Sequence, residues 1–581
     1  MCINNPLKLA LQQQLIHPIS YYFAQFIASQ SQQAINSLLC ISAALVSEQK
    51  RQGDICIKLN DFAETIAFKS NDVELNKALL LPALNQWLDY LKQFPCVSEN
   101  GALQPLIIEF DQLYLGRIWH LEERLIEHIN TRLDIKLTDY ELTIQQRLDN
   151  LFESDNNQID WQKKAADLVL NNVFSIISGG PGTGKTTTLI KIIALLLEQN
   201  LDLNIQLCAP TGKAAIRMLE AVKSRLNTLD LLPEVRAKIP LQSKTIHRLL
   251  GFSRGEFLHH ADNPVLVDCI IIDEASMIDM ELMVALLDAL PPSCRVILLG
   301  DKDQLSSVDA GHVFSDLCGT NQQISGAKIE SAIALLKTSY RFTGDSGIGQ
   351  LAAWVNQSNG EKSLEQFESF KEELKHFEQN DQLLDPQLIE LMVQHYSQVV
   401  QADSVLTAIN AFSEFQVLCA LNTGPVGVNS INELISERLY LRQMIPSTTQ
   451  FNGLPILITQ NDYDHQLFNG DIGILWLNKN QWTVHFKQED NHIKEVPLIN
   501  LNHIESAWAI TVHKSQGSEY DAVVLLLPDE SHSKLIKKEL LYTAITRAKK
   551  HFTLSCRRSS WLDYCSKTTK RSSGLSHKLG Y

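Results

Sequence analysis

The sequence predicts an α/β protein built on parallel sheets, and three observations carry that expectation. Short β-rich runs at 173–178, 205–209, 269–272 and 296–299 alternate with helical spacing between about residues 136 and 345. Such alternation places parallel strands under helices on both faces. Gly179-Gly180-Pro181-Gly182-Thr183-Gly184-Lys185-Thr186 joins the first of these runs to the helical stretch 187–197. A second α/β stretch opens at 415–421, resumes near Ala507 and closes around 552–556.

Residues 1–135 carry apolar side chains three and four apart, clearest at Ile118, Leu121, Leu125, Ile129 and Leu133, and read as a helical domain without a chemical motif. Residues 136–345 form the first α/β domain. The connector 346–405 is expected to be helical and acidic, since residues 361–400 hold nine Asp and Glu against three Lys, as a solvated helix face does. Residues 406–565 form the second α/β domain. Near 450–500 it is interrupted by strand-like runs at 455–459, 472–477 and 482–486, separated by turns such as Asn469-Gly470-Asp471. These predict a small β-barrel-like insertion. Residues 551–581 hold six Lys and Arg against one Asp, so the tail 566–581 reads as a disordered segment or one that touches a phosphate backbone.

A chain of 581 residues is too long for one core, and roughly 100 to 200 residues per domain suggests three to five. Hydrophobic content of 45% and charged content of 20% are those of a globular protein, and no apolar run is long enough to span a membrane. Without a signal sequence at the amino terminus, the expected location is the cytoplasm. Eleven cysteines without a C-x-x-C pair read as reduced core residues, and His259-His260 lacks partners at zinc-site spacing. A net charge of −15 excludes indiscriminate adhesion to nucleic acid, but not a local basic groove.

The glycine-rich loop has the G-x-x-x-x-G-K-T pattern that wraps a phosphate with backbone N–H groups at a helix N-terminus. Gly179, Gly180, Pro181, Gly182, Thr183, Gly184, Lys185, Thr186 and Thr187 are therefore candidate contacts for a nucleoside triphosphate. Lys185 would reach the β and γ phosphates, and Thr186 would offer a hydroxyl to Mg²⁺. The apolar run 269–272 ends in Asp273-Glu274-Ala275-Ser276. Asp273 is the second expected Mg²⁺ residue, and Glu274 is placed to deprotonate the attacking water, as a hydrolase requires. Gln304, in Gly300-Asp301-Lys302-Asp303-Gln304-Leu305, is a candidate γ-phosphate sensor. Arg341, in Ser339-Tyr340-Arg341-Phe342, and Arg547, in Thr546-Arg547-Ala548, are candidates for neutralising transition-state charge.

The order of these motifs, with Ala209-Pro210-Thr211-Gly212-Lys213-Ala214-Ala215 and Val512-His513-Lys514-Ser515-Gln516-Gly517-Ser518-Glu519, resembles the superfamily 1 DNA helicases of the 5′ to 3′ branch. Leu467-Phe468-Asn469-Gly470-Asp471-Ile472-Gly473 and Tyr114-Leu115-Gly116-Arg117-Ile118-Trp119 with Glu122 make the chain similar to the RecD family, the alpha subunits of exodeoxyribonuclease V. This resemblance implies two RecA-like P-loop domains with ATP between them, an SH3-like insertion in the second, and an amino-terminal domain that docks onto a gamma subunit. It implies a motor subunit in a heterotrimer with beta and gamma subunits, acting on single-stranded DNA and duplex ends in double-strand break repair, with any nuclease activity residing in the beta subunit. Gln162, in Asp160-Trp161-Gln162, matches the glutamine that reads adenine. Thr211, Lys213, Thr245, His247 and His513 match loops that line the single-strand groove, with Arg248 and Trp508 as further candidates. Two other readings stay open, a stand-alone helicase of the same branch and a subunit that uses ATP occupancy as a switch. The presence of Glu274 favours a motor, since a switch needs no catalytic acid.

Overall fold

The computed structural model describes residues 5–99, 101–137, 140–152, 159–226, 228–306, 311–319, 327–341, 346–379, 384–462, 464–487, 492–529, 536–569 and 571–580. Cys2 and Phe342 lie outside them. Six parallel strands form the first sheet in the order Ile333–Leu336, Phe174–Gly179, Arg295–Gly300, Cys269–Ile272, Ile205–Ala209, Ser243–Thr245. Side chains alternate across it. Cys269 and Ile271 pack with the helix Lys185–Gln199, whereas Ile270 and Ile272 pack with Met280–Asp288. A strand covered on both faces has to be apolar at every position, and all four of these residues are fully buried.

The sheet order places Phe174–Gly179 where the chain turns in opposite directions, with Arg295–Gly300 on one side and Ile333–Leu336 on the other. At such a switch point the loops leaving the strand ends separate and open a crevice. The glycine-rich loop begins there.

The predicted helical stripe from Ile118 to Leu133 forms the helix Gly116–Asp134, and it covers the first sheet rather than standing apart. Arg132, buried on this helix, donates to the carbonyls of Leu290 and Pro291 at 3.2 and 3.1 Å. Ahead of it, helices enclose a small four-stranded sheet ordered Cys56–Lys58, Gln112–Leu115, Leu106–Glu109, Val97–Ser98.

A second parallel sheet runs Leu374–Glu378, Ala548–Cys556, Tyr520–Leu526, Phe415–Cys419, Ala509–Thr511. Its first strand comes from the acidic connector, which was expected to be helical throughout. Leu374-Lys375-His376-Phe377-Glu378 is too short for periodicity to separate strand from helix, and the pairing Leu374 to Phe552 decides it. Charges on such an edge strand also discourage pairing with a further chain. Between Phe415–Cys419 and Ala509–Thr511 the chain forms a five-stranded antiparallel sheet, Ile493–Pro497, Gln481–Lys487, Ile472–Asn478, Leu454–Ile458, Ile504–Ser506. Trp508 is fully buried against Tyr396 and Phe451 and donates to Ser436 Oγ, so it is core and not a base-stacking residue. All ten described cysteines are unpaired thiols, and nine are buried.

The basic tail departs from expectation. Residues 571–580 are ordered against the amino-terminal region, where their charge meets carboxylates rather than phosphate. The Ser572 carbonyl accepts from Ile55 and Cys56, Ser572 N donates to Asp54, Ser573 Oγ donates to Asp316 Oδ2, and Gly574 N donates to Glu122 Oε1. Lys578 Nζ sits 2.8, 3.1 and 2.5 Å from Glu109, Glu122 and Glu123, over the rings of Tyr114 and Trp119. The Tyr114 to Glu122 motif is thus the seat of the segment 571–580. Burial raises the pKa of Glu122, and Lys578 opposes that effect. Lys578→Ala, which leaves this carboxylate without its ammonium, is expected to cost about 3 kcal/mol in urea unfolding and to open the tail to trypsin.

Candidate active site

Gly182 and Gly184 take φ of +76° and +80° in the loop between Phe174–Gly179 and the helix Lys185–Gln199. A Cβ at Gly182 would lie 2.2 Å from Arg341 Cβ, and one at Gly184 would lie 2.2 Å from Gln162 Nε2. Glycine here therefore serves both the turn and the close approach of two candidate site residues. Gln162 Nε2 donates to the Thr183 carbonyl at 3.1 Å, and Asp160 caps the helix that carries it. Lys185 Nζ folds onto the carbonyls of Gly179 and Gly180.

A cavity of about 750 Å³ opens between the two parallel sheets. Gln162, Gly180, Pro181, Gly182, Gly184, Lys185, Thr186, Thr187, Asp273, Glu274, Gln304, Arg341 and Arg547 line it together. Gly179 and Thr183 stand behind this surface and shape the loop: Gly179 ends its strand, and Thr183 Oγ1 donates to the Gly180 carbonyl. Contributions come from both sides of the cleft, since Arg547 follows the helix Lys538–Ile545 of the second sheet's layer.

Electrostatics differ sharply across the cavity. Burial and the neighbouring Glu274 raise the pKa of Asp273, whose Oδ1 accepts the Glu274 N–H at 2.8 Å. Asp273 and the Thr186 hydroxyl line the same cavity and offer hard oxygen donors of the kind that suits Mg²⁺. Glu274 adopts φ of +52°, a strained conformation for a side chain of its kind, which turns the chain sharply at the strand end. Arg547 is 2% exposed, donating from Nε to the Thr543 carbonyl and from Nη1 to the Ser518 carbonyl, both at 3.1 Å.

Gln304 Nε2 donates to Asp301 Oδ2 at 3.0 Å, and the same oxygen accepts from Tyr542 Oη at 3.1 Å. Burial pushes the Asp301 carboxyl up to about 6. Leu305, the next residue, takes Thr543 Oγ1 on its N–H and Gln516 Nε2 on its carbonyl. The loop that carries Gln304 is thereby tied to the second sheet's layer. Asp301 and Gln516 lay inside motifs read from the sequence, but nothing local signalled that Asp301 meets Tyr542 or that Gln516 meets Leu305. Arg217 and Glu519, which also line the cavity and pair with each other, were likewise unassigned.

The five candidate DNA contacts lie elsewhere, near the carboxyl ends of strands at or next to a sheet edge. Thr211 and Thr245 follow or end the neighbouring strands Ile205–Ala209 and Ser243–Thr245, while His513 follows Ala509–Thr511, an edge of the second sheet. Both threonine hydroxyls already act as helix caps, Thr211 accepting from Ala214 N and Thr245 from Arg248 N. His247 packs against Phe252 and Phe257, and burial lowers its pKa as it does that of His513. Lys213 follows Gly212, against which Phe468 of the antiparallel insertion rests.

Among the described residues no helix is long and apolar enough to cross a membrane. Three family descriptions match: "RecBCD enzyme subunit RecD, N-terminal domain" at residues 12–114, "AAA domain" at 162–310 and "UvrD-like helicase C-terminal domain" at 506–555. The RecBCD enzyme subunit RecD of Haemophilus influenzae is 31% identical over 96% of this chain and 97% of its own length. That of Mycolicibacterium smegmatis is 34% identical over 88% of both chains. The ATP-dependent RecD2 DNA helicase of Deinococcus radiodurans is 31% identical over 69% of this chain and 49% of its own length.

Proposed function

From a chain that belongs to the RecD family of RecBCD enzyme subunits, we infer an ATP-dependent DNA helicase whose motor is the cleft between the two parallel sheets. One observation carries this reading: Lys185, Thr186, Asp273, Glu274, Gln304, Arg341 and Arg547, drawn from both sides of the cleft, line a single cavity. ATP binds there, with its phosphates on the loop 179–186 and its adenine toward Gln162. Thr186 and Asp273 would hold the Mg²⁺ that accompanies it, which would supply neutralising charge to the phosphates. Glu274 takes the proton of the attacking water, while Arg341 and Arg547 bear on the γ-phosphate from opposite sides of the cleft.

Loss of the γ-phosphate is felt at Gln304 and passed through Leu305 to Thr543 and Gln516 in the second layer. The cleft then opens, and alternating grip on a strand laid across Thr211, Lys213, Thr245, His247 and His513 yields stepping in the 5′ to 3′ direction. We assign residues 136–345 and 406–565 to the two motor domains and 346–405 to the connector that also supplies a strand to the second. Residues 1–135 would dock onto the gamma subunit, in a heterotrimer with the beta subunit.

The test is ATP hydrolysis by the purified chain with and without single-stranded DNA, beside Lys185→Gln, followed by unwinding of duplexes bearing a 5′ or a 3′ tail. DNA-stimulated hydrolysis that Lys185→Gln abolishes, with preference for the 5′ tail, is the expected result. Preference for the 3′ tail would reverse the direction. Hydrolysis seen only after the beta and gamma subunits are added makes this a dependent motor, and silence even then replaces the motor by a switch.

A further inference from the structure

Arg217 stands on the helix Gly212–Leu226, whose face bearing Ala214, Met218 and Ala221 forms one wall of the cavity. Its Nη2 lies 2.6 Å from Glu519 Oε2, and Arg341 Nη1 lies 2.8 Å from Glu519 Oε1. Glu519 belongs to the opposite side of the cleft, just ahead of the strand Tyr520–Leu526. Its two oxygens are therefore divided between two arginines of the facing side, within the cavity that also presents Lys185 and Arg547. Lys549 Nζ is the next cation, at 4.0 Å. Burial works to raise the pKa of Glu519, yet Arg217 and Arg341 outweigh it and hold the carboxyl down to about 2.

A carboxylate between guanidinium groups has the same donor geometry as a phosphate between them, because the planar fork suits either anion. Here the carboxylate occupies a place among cations that face the phosphate loop. We propose that Arg217 is a nucleotide-phosphate ligand, and that Glu519 is a placeholder anion which keeps Arg217 and Arg341 aimed into the cavity until a triphosphate displaces it. The inference rests on the cavity being the ATP site. A triphosphate carries more negative charge than one carboxylate and meets Lys185 as well, so it wins both arginines. Glu519 then loses its two partners across the cleft, and the tie between the two sides passes to the phosphates, which Arg547 meets from the second side.

Equilibrium binding of a fluorescent non-hydrolysable ATP analogue, and of fluorescent ADP, to the full chain tests this. Arg217→Ala is expected to weaken the ATP analogue about tenfold, the effect of losing a charge-assisted hydrogen bond, and to disturb ADP less. Arg217→Lys should recover part of the affinity, since it keeps the charge and loses the fork. Glu519→Gln should bind the analogue more tightly than wild type, and Arg217→Ala in the same chain should shrink that gain. Unchanged binding by Arg217→Ala, with Lys185→Gln defective, overturns this inference alone. Normal binding by Lys185→Gln as well would remove the ATP reading of the cavity. Weaker binding by Glu519→Gln would make Glu519 a direct nucleotide contact and overturn its role as placeholder. Urea unfolding of each variant separates lost affinity from lost fold.

Discussion

Glu274→Gln is expected to lower DNA-stimulated ATP hydrolysis by roughly 10²- to 10⁴-fold while leaving nucleotide binding near wild type, the signature of a lost general base. The substitution keeps the shape of the side chain and the strained turn at φ +52°, so the loop beside Asp273 has no reason to rearrange. It removes only the capacity to take a proton from water. Glu274 suits that task by position: it lines the same cavity as Lys185 and follows the strand Cys269–Ile272 directly after Asp273. Turnover and analogue binding measured on the same preparation separate the two effects. Equal losses in both would mean that Glu274 holds the nucleotide, and unchanged turnover would pass the base role to another group.

Arg547→Ala is expected to reduce hydrolysis by about 10³-fold or more, the range seen when an arginine that stabilises phosphoryl-transfer charge is removed. Arg547 is already fixed by the carbonyls of Thr543 and Ser518, so little reorganisation remains for the moment of reaction. Because it is 2% exposed, alanine also leaves a hole, and Arg547→Lys is the companion variant. Lysine keeps the charge but cannot serve two carbonyls and a phosphate with one planar fork. Both variants should retain ADP binding through the loop 179–186, which lies on the other side of the cleft. Hydrolysis near wild type in Arg547→Lys would reduce this residue to a point charge. Full activity in Arg547→Ala would leave Arg341 and Arg217 as the working cations.

Much of this protein was legible along the chain, because the chemistry of its loop is contiguous. Eight neighbouring residues from Gly179 to Thr186 specify a turn, a helix N-terminus and a cation, and all three depend on backbone conformations that local residues set. The strands at 174–179, 205–209, 269–272 and 295–300 were equally visible, since burial on both faces requires an unbroken apolar run. Asp273-Glu274 could be read for the same reason: the acids end such a run.

Other features were out of reach of any local pattern. Leu374–Glu378 became a strand only because Phe552 and its neighbours offered an edge. Trp508 became core because Tyr396 and Phe451 closed over it. The tail, basic enough to suggest a phosphate partner, found Glu109, Glu122 and Glu123 more than 450 residues upstream, where all three stand within an ion pair of Lys578. Charge in a sequence states what a segment can meet, and only the fold states what it does meet. The cleft shows the same division. The sequence by itself determined a phosphate-binding loop, a pair of acids and two parallel-sheet regions, all consequences of backbone geometry and apolar periodicity. Tertiary structure alone decided that Arg547 faces Glu274 across the cavity and that Glu519 joins Arg217 to Arg341, because those contacts depend on how two separately folded layers meet.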